Sequence, residues 1–317
     1  MHVADALISP NVAIGTALVS MTLLSVAAKK VKKIQRPDII PLMGIMGAFV
    51  FAAQMINFSI PGTGSSGHLI GGILLSAIIG PWCAFITLSS IIIVQCLIFA
   101  DGGLLALGCN IFNMAATSCL LGYPLIYKPI VGDSLKPFKI CIGSVLASIV
   151  ALEIGAFFVT VETELSGVTA LPFSTFVKFM LPIHIVIGLI EGIVTASLLC
   201  FIANYRPSIL LYDTPQYNKS SGKMFFLIFG IITLLLASGF TFLASENPDG
   251  LEWSLEKVSG ISEWTSETSP TAIMPDYDSN FAGVIGAIIV MALIWGISSV
   301  IFSNIKKSHI KDPTEEI

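Results

Sequence analysis

The chain has 317 residues, 55% of them hydrophobic and only 11% charged, with a mean hydropathy of +0.89. That balance belongs to an integral membrane protein and excludes a soluble domain of ordinary composition. The formal net charge of −4 says little as a total, but its distribution along the chain carries the topology.

The opening ten residues, "MHVADALISP", contain Asp5, no basic stretch and no small-residue cleavage site behind a short apolar core. A removable signal peptide is therefore not expected. Met1 is expected to persist, because its removal normally requires a small second residue and His2 is not small.

Apolar runs follow at roughly 9–28, 38–57, 68–99, 103–126, 138–160, 174–203, 224–244 and 280–302. A spanning helix needs about 20 residues, so most runs predict one crossing each. The 68–99 run is too long for that and is interrupted at Gly80-Pro81, where proline disfavours helical geometry in the preceding residue. Reading it as two crossings gives nine spans in all. With the N-terminus outside, "KKVKKIQR", the 128–139 loop, the 204–223 loop and the "KKSHIK" tail then share one face. That face holds 14 of the 16 Lys and Arg residues, leaving only Lys178 and Lys257 elsewhere, as the positive-inside rule requires of a cytoplasmic side. The opposite face carries Asp5, Asp101, Glu162, Glu164 and the acidic 245–279 loop.

The expected architecture is an all-α membrane protein with an extracytoplasmic N-terminus and a cytoplasmic C-terminus. Residues 1–204 form a seven-helix module. A polar, proline-containing linker over 205–223 leads to a two-helix module, 224–317, whose helices flank the 245–279 loop. No internal repeat is evident, and no G-x-x-x-x-G-K-[ST] phosphate loop is present, so the chain is not expected to hydrolyse ATP by itself. The six cysteines (Cys83, Cys96, Cys109, Cys119, Cys141, Cys200) form no C-x-x-C pair and read as packing residues.

Chemistry enters with the histidines. A free α-amine, the amide nitrogen of residue 2 and the imidazole of His2 can close consecutive chelate rings around one metal in a plane. Amide deprotonation suits Ni(II) and Cu(II), and planar nitrogen donors favour the same ions. One planar position stays open, and His68, in "QMINFSIPGTGSSGHLIGG" at the mouth of the third helix, is the candidate to fill it. Equally, an N-terminal histidine is ordinarily a surface residue and a boundary histidine an interfacial anchor. His184 and Glu191 lie seven residues apart in "HIVIGLIEGIVTA", hence on one helix face. With Glu153 they form either a relay for an ion-coupled secondary transporter or interhelical hydrogen bonds. Asn110 and Asn113 pose the same choice, with helix-to-helix bonding favoured for Asn113. No H-E-x-x-H or Ser–His–Asp-like grouping supports an enzyme.

The segments "MHVADALISP", "QMINFSIPGTGSSGHLIGGILLSAIIGPW", "FADGGLLALGCNIFNMA" and "HIVIGLIEGIVTA" together resemble the metal-binding S component of energy-coupling factor transporters, the CbiM/NikM family for cobalt and nickel, over residues 1 to about 204. The second module, with "ASENPDGLEWS" in its loop, resembles the companion subunit CbiN/NikN. The resemblance implies that the N-terminus is tucked into the protein from outside. It implies metal held by the Met1 amine, the His2 amide and imidazole nitrogens, and His68. It implies as partners a transmembrane coupling subunit of CbiQ/NikQ type and cytosolic ATPases of CbiO/NikO type in a prokaryotic plasma membrane, with no nucleic acid. Ni(II) is the expected substrate and Co(II) the alternative. Asp5 is expected to anchor the N-terminus, and Ser65 and Ser66 to orient the His68 ring.

Overall fold

The structure is a computed structural model, and it describes residues 1–34, 36, 38–210, 219–239, 244–261, 272–277 and 281–308. Part of the expected linker, 211–218, lies outside the described residues. So does much of the 245–279 loop.

The chain is mostly helical. Helix α1 (Pro10–Val31) and α2 (Ile39–Gln54) are followed by a short antiparallel hairpin, β1 (Phe58–Ile60) and β2 (Ser65–Gly67), in which Ser59 faces Ser66. Next come α3 (Gly72–Ile79), α4 (Pro81–Phe99), α5 (Leu107–Val131), α6 (Pro137–Ser166) and α7 (Phe173–Tyr205). The second module contributes α8 (Lys219–Gly239), α9 (Gly250–Ser259) and α10 (Ala282–Ser308). Residues Ile111–Tyr127, the middle of α5, are wound as a π-helix that contains Pro124. Among the described residues six helices (α1, α4, α5, α6, α7 and α10) are long and apolar enough to cross a membrane, while α2 and the apolar part of α8 are shorter.

The 68–99 run divides where its glycine and proline fall. Gly80 sits at φ 81°, ψ 154°, a conformation only glycine takes cheaply, and Pro81 occupies the first turn of α4, where its missing N–H is no loss. The first half differs from expectation. Helix α3 has eight residues, so it rises only about 12 Å, well short of a bilayer's hydrocarbon core. His68 therefore lies in irregular backbone ahead of the helix rather than on it. The hairpin before it, whose β2 residues are all buried, meets the requirement that irregular backbone at such depth be covered by protein.

Two close helix contacts set the frame for the site. On α7, Gly188 and Gly192 face α6: a Cβ on Gly188 would lie 2.7 Å from the Ile149 Cα, and one on Gly192 2.5 Å from the Val145 Cα. This glycine pair, four residues apart, lets two backbones touch without side chains between them, and it fixes the faces of α7 that carry His184 and Glu191. On the other side α10 lies against α2, where a Cβ on Gly47 would meet Ile294 Cδ1 at 2.4 Å. The second module thus packs into the first, with the Phe49 and Phe229 rings edge to face at 5.2 Å.

Helix α9 was not anticipated. Asp249 caps it, accepting from the Leu251 and Glu252 amides while the Glu252 side chain accepts from the Asp249 amide. This reciprocal box was legible as Asp-x-x-Glu ahead of an apolar run. All six cysteines are free; Cys83, Cys96, Cys109 and Cys119 are buried, as packing residues should be, whereas Cys141 is exposed and Cys200 half-buried.

Because the α6–α7 contact is backbone to backbone, Gly192→Val should lower the thermal unfolding midpoint of the purified protein markedly, with a cost in the range of about 1–3 kcal/mol for an overpacked contact. Gly15→Val, which meets nothing within 4 Å, should have little effect in the same differential scanning measurement.

Candidate metal centre

The N-terminus folds back into the end of the bundle that carries the hairpin and α9. Val3 is fully buried, and its backbone is read twice by Asn110 at the start of α5: the Val3 amide donates to Oδ1 at 2.7 Å, and Nδ2 donates to the Val3 carbonyl at 3.2 Å. Asp5 accepts from the Ala106 amide at 3.0 Å, and the Gly103 amide donates to the Val3 carbonyl at 2.9 Å. Residues 1–5 are thereby held in an extended path with their polar backbone satisfied, as burial demands.

This path brings the expected ligands together. The His2 and His68 rings stack with centroids 5.3 Å apart and an interplanar angle of 16°. His68 Nδ1 lies 3.1 Å from the Leu69 carbonyl oxygen. A carbonyl can only accept, so Nδ1 donates and the neutral ring carries its lone pair on Nε2. That is the arrangement by which a ligating imidazole is usually oriented. Burial, with the nearby Met1 ammonium and His2, brings the His68 pKa down to about 4, so the ring is neutral across physiological pH.

Two carboxylates face this group. The Met1 ammonium is paired with Asp249 Oδ2, and His2 Nδ1 lies 3.0 Å from Asp101 Oδ1. Asp101 also accepts from the Tyr277 hydroxyl at 2.9 Å. Burial alone would raise both carboxyls, but the opposing charge and hydrogen bond of His2 hold Asp101 well below the usual carboxylate range, and those of the Met1 ammonium do the same for Asp249. Among the described residues no three His, Cys, Asp or Glu side chains converge as a metal-holding group. A donor set drawn half from backbone nitrogen would not need them.

Some expected roles fall elsewhere. Ser65 and Ser66 do not touch the His68 ring. Ser66 Oγ donates to the Asn247 carbonyl at 2.8 Å, its amide to the Pro248 carbonyl at 2.8 Å, and Ser65 Oγ reaches the Ser66 and Pro248 carbonyls. The cause is the unpaired edge of β2, against which residues 245–248 lie and whose carbonyls those donors satisfy. Glu162, expected at the outer face, is 5% exposed and accepts from Asn113 Nδ2 at 2.6 Å, an interhelical bond of the kind anticipated for Asn113. Glu191 spends both oxygens on the Ile70 and Gly71 amides, at 3.0 and 3.1 Å, pinning the segment between His68 and α3. His184 Nδ1 lies 2.7 Å from the Met180 carbonyl oxygen. Among the described residues no hydrogen bond links Glu153, His184 and Glu191 to one another.

Comparison with known proteins agrees with this architecture. The family model described as the cobalt uptake substrate-specific transmembrane region, CbiM, matches residues 2–209, and the PDGLE domain model matches residues 223–303. The latter includes Asp249 and Gly250, which line a small cavity together with Met1 and His68. Helices of this length and the two matches define a multi-pass membrane protein of metal transport. The chain belongs to the CbiM family and carries a PDGLE domain behind the CbiM region, as fused nickel transport proteins do. A chain from Archaeoglobus fulgidus, whose name proposes a fused nickel transport protein NikMN, is 28% identical over 306 residues, covering 92% of this chain and 96% of its own. The fused nickel transport protein NikMN of Rhodobacter capsulatus is 26% identical, covering 86% of this chain and 79% of its own. A solved structure described as a transition metal transporter superposes with a TM-score of 0.57 at 30% identity, over 64% of this chain and 93% of that one.

The Met1–Asp249 pair makes a prediction about stability. Asp249→Ala leaves a buried ammonium without its counter-charge, which should cost about 3 kcal/mol in the metal-free protein. When metal replaces the ammonium proton the penalty should shrink. Thermal unfolding of both forms, with and without Ni(II), would show the variant's deficit narrowing on loading, and an equal deficit in both states would contradict the assignment.

Proposed function

We propose that the chain is the substrate-binding S component of an energy-coupling factor transporter for nickel, with cobalt as the alternative cargo. In this reading the Met1 α-amine, the His2 amide nitrogen, His2 Nδ1 and His68 Nε2 form the donor set. The carrying observation is that Met1 N and His2 Nδ1 are each engaged by a carboxylate, Asp249 and Asp101, beside a stacked His68 ring. Carboxylates at both positions keep protons where a cation would bind, so loading is an exchange of protons for metal. Asp5 and Asn110 act on the same donors at one remove by holding residues 3–5 in their path.

Four nitrogens in a plane suit Ni(II) better than Co(II), which more often takes tetrahedral or octahedral surroundings. The distribution of basic residues supports a site on the extracytoplasmic face, with metal arriving from outside. Energy for release would come from a coupling subunit of CbiQ/NikQ type and ATPases of CbiO/NikO type. The N-terminal module over 1–204 would hold the metal, and the module over 224–317 would cover it through α9, with 205–223 joining them on the cytoplasmic side.

The test is the α-amine itself. Adding two residues ahead of Met1 moves the amine out of the chelate while leaving every side chain in place, and Ni(II) affinity measured by calorimetry should fall by more than about 100-fold, as for loss of a first ligand rather than of a supporting contact. Unchanged affinity or stoichiometry would sink the chelate.

Proton exchange also sets a pH dependence. The ammonium and the His2 amide give up protons on binding, so affinity should rise with pH. His68, neutral above about pH 4, contributes no proton above that range. His68→Ala should therefore weaken binding while leaving the slope of log Kd against pH between pH 6 and 8 unchanged.

A further inference from the structure

His184 is the third histidine of the chain and is 1% exposed on α7. Its Nδ1 faces the Met180 carbonyl at 2.7 Å, so Nδ1 donates and the lone pair sits on Nε2. That Nε2 is buried and has no hydrogen-bond partner among the described residues. Buried ring nitrogens are rarely left so. The side chain faces a cavity of about 10 Å³ that Met1, His68, Asp249 and Gly250 also line. That volume suits a single water or bare metal ion.

Gly250 keeps the space above the ring clear. A Cβ there would stand 3.0 Å from His184 Cε1, 3.3 Å from Nε2 and 2.8 Å from Ile187 Cδ1. Any side chain at position 250 would fill the approach to the lone pair. Two imidazoles, His68 and His184, thus line one small cavity, each with Nδ1 tied to a main-chain carbonyl and Nε2 left as the donor.

We propose that His184 is a further metal-binding residue, and that its Nε2 with His68 Nε2 makes an inner station to which the metal passes after leaving the N-terminal chelate. This rests on the reading of Met1, His2 and His68 as the primary site. Imidazole is a good donor for both Ni(II) and Co(II), and the Asp249 carboxylate on the cavity wall supplies compensating negative charge. With two protein nitrogens instead of four the inner station binds more weakly, which onward movement requires: a stop along a path must release what it takes up. His184 lies eleven residues into α7, about 16 Å along the helix from its first residue. Shared use of His68 makes the transfer an exchange of ligands around one imidazole, with no interval in which the ion is bare.

The experiment uses the full chain purified in detergent and titrated with Ni(II) and Co(II). The unsubstituted protein should show one tight site with the spectrum of planar Ni(II). His2→Ala, which dismantles the chelate, should retain one weaker site in which X-ray absorption counts two imidazoles. Adding His184→Gln should weaken that remnant by at least about tenfold and reduce the count to one. A remnant with one imidazole in His2→Ala, or one indifferent to His184→Gln, would overturn the proposal and leave the cavity as the seat of a water only. The imidazole count in His2→Ala needs no change at position 184, so the outcome does not depend on how well the double variant folds. Absence of a tight site in the unsubstituted protein would instead sink the primary chelate.

Discussion

A charged chain terminus is being held inside a protein whose bulk is apolar, and the opposing carboxylate comes from the other module. Removing an ammonium from water is costly, and a buried ion pair repays it only when the geometry is good and the remaining polar groups are satisfied. Here Asp249 meets both conditions. One carboxylate oxygen pairs with the Met1 ammonium, and the other accepts from the Leu251 and Glu252 amides at the start of α9. The same side chain therefore caps a helix and neutralises the terminus. Without α9 the amine would have no counter-charge, and without the amine the cap would carry an uncompensated buried charge.

From that pairing the rest of the local structure follows. Residues 245–248 must reach the pocket to deliver Asp249, and they do so as a backbone run along β2: the Ser245 amide donates to the Asn57 carbonyl and the Ser66 amide to the Pro248 carbonyl. The hairpin is thus a docking edge, and Trp253 Nε1 closes its tip by donating to the Thr63 carbonyl at 2.9 Å. The second carboxylate, Asp101, is tied to the same module by Tyr277, whose ring also stacks on Phe99 at 4.4 Å. Both acids that face the proposed donors are consequently set by residues beyond position 244.

What could be read from the sequence, and what could not, divides along the range of the interactions. The break at Gly80-Pro81 was legible because backbone sterics at two adjacent residues decide it. So was the grouping of Met1 with His2, since adjacency in the chain is what a chelate ring requires. Placing His68 beside them drew on helix order and the resemblance, and the stacked rings show the same grouping. The helix α9 was legible in Asp249 and Glu252 but passed over, because a polar loop between two spans drew attention to its charge rather than its spacing. The roles assigned to Ser65 and Ser66 failed for a different reason: their acceptors lie some 180 residues away, and a serine beside a candidate ligand carries no mark of which carbonyl it will meet. A short third helix was legible in the thirteen residues from His68 to Gly80, but not its start only at Gly72, since an apolar run reads as helix whether or not its first residues are spent on a covered loop.

The arrangement also suggests why the two modules share one chain. The proposed donors come from residues 1–68, but the carboxylate at the amine and the glycine that leaves room above His184 both belong to the start of α9. If the amine is to exchange its proton for a metal, Asp249 must loosen its hold as the cation arrives. A cation held by the proposed nitrogens would keep positive charge near both acids while freeing Asp249 from the ammonium, and that carboxylate would retain the Leu251 and Glu252 amides. The loop therefore need not leave the site when metal enters. It can remain seated through its bonds to β2 while its carboxylate changes partner, closing the pocket over the cargo with contacts that are already made in its absence.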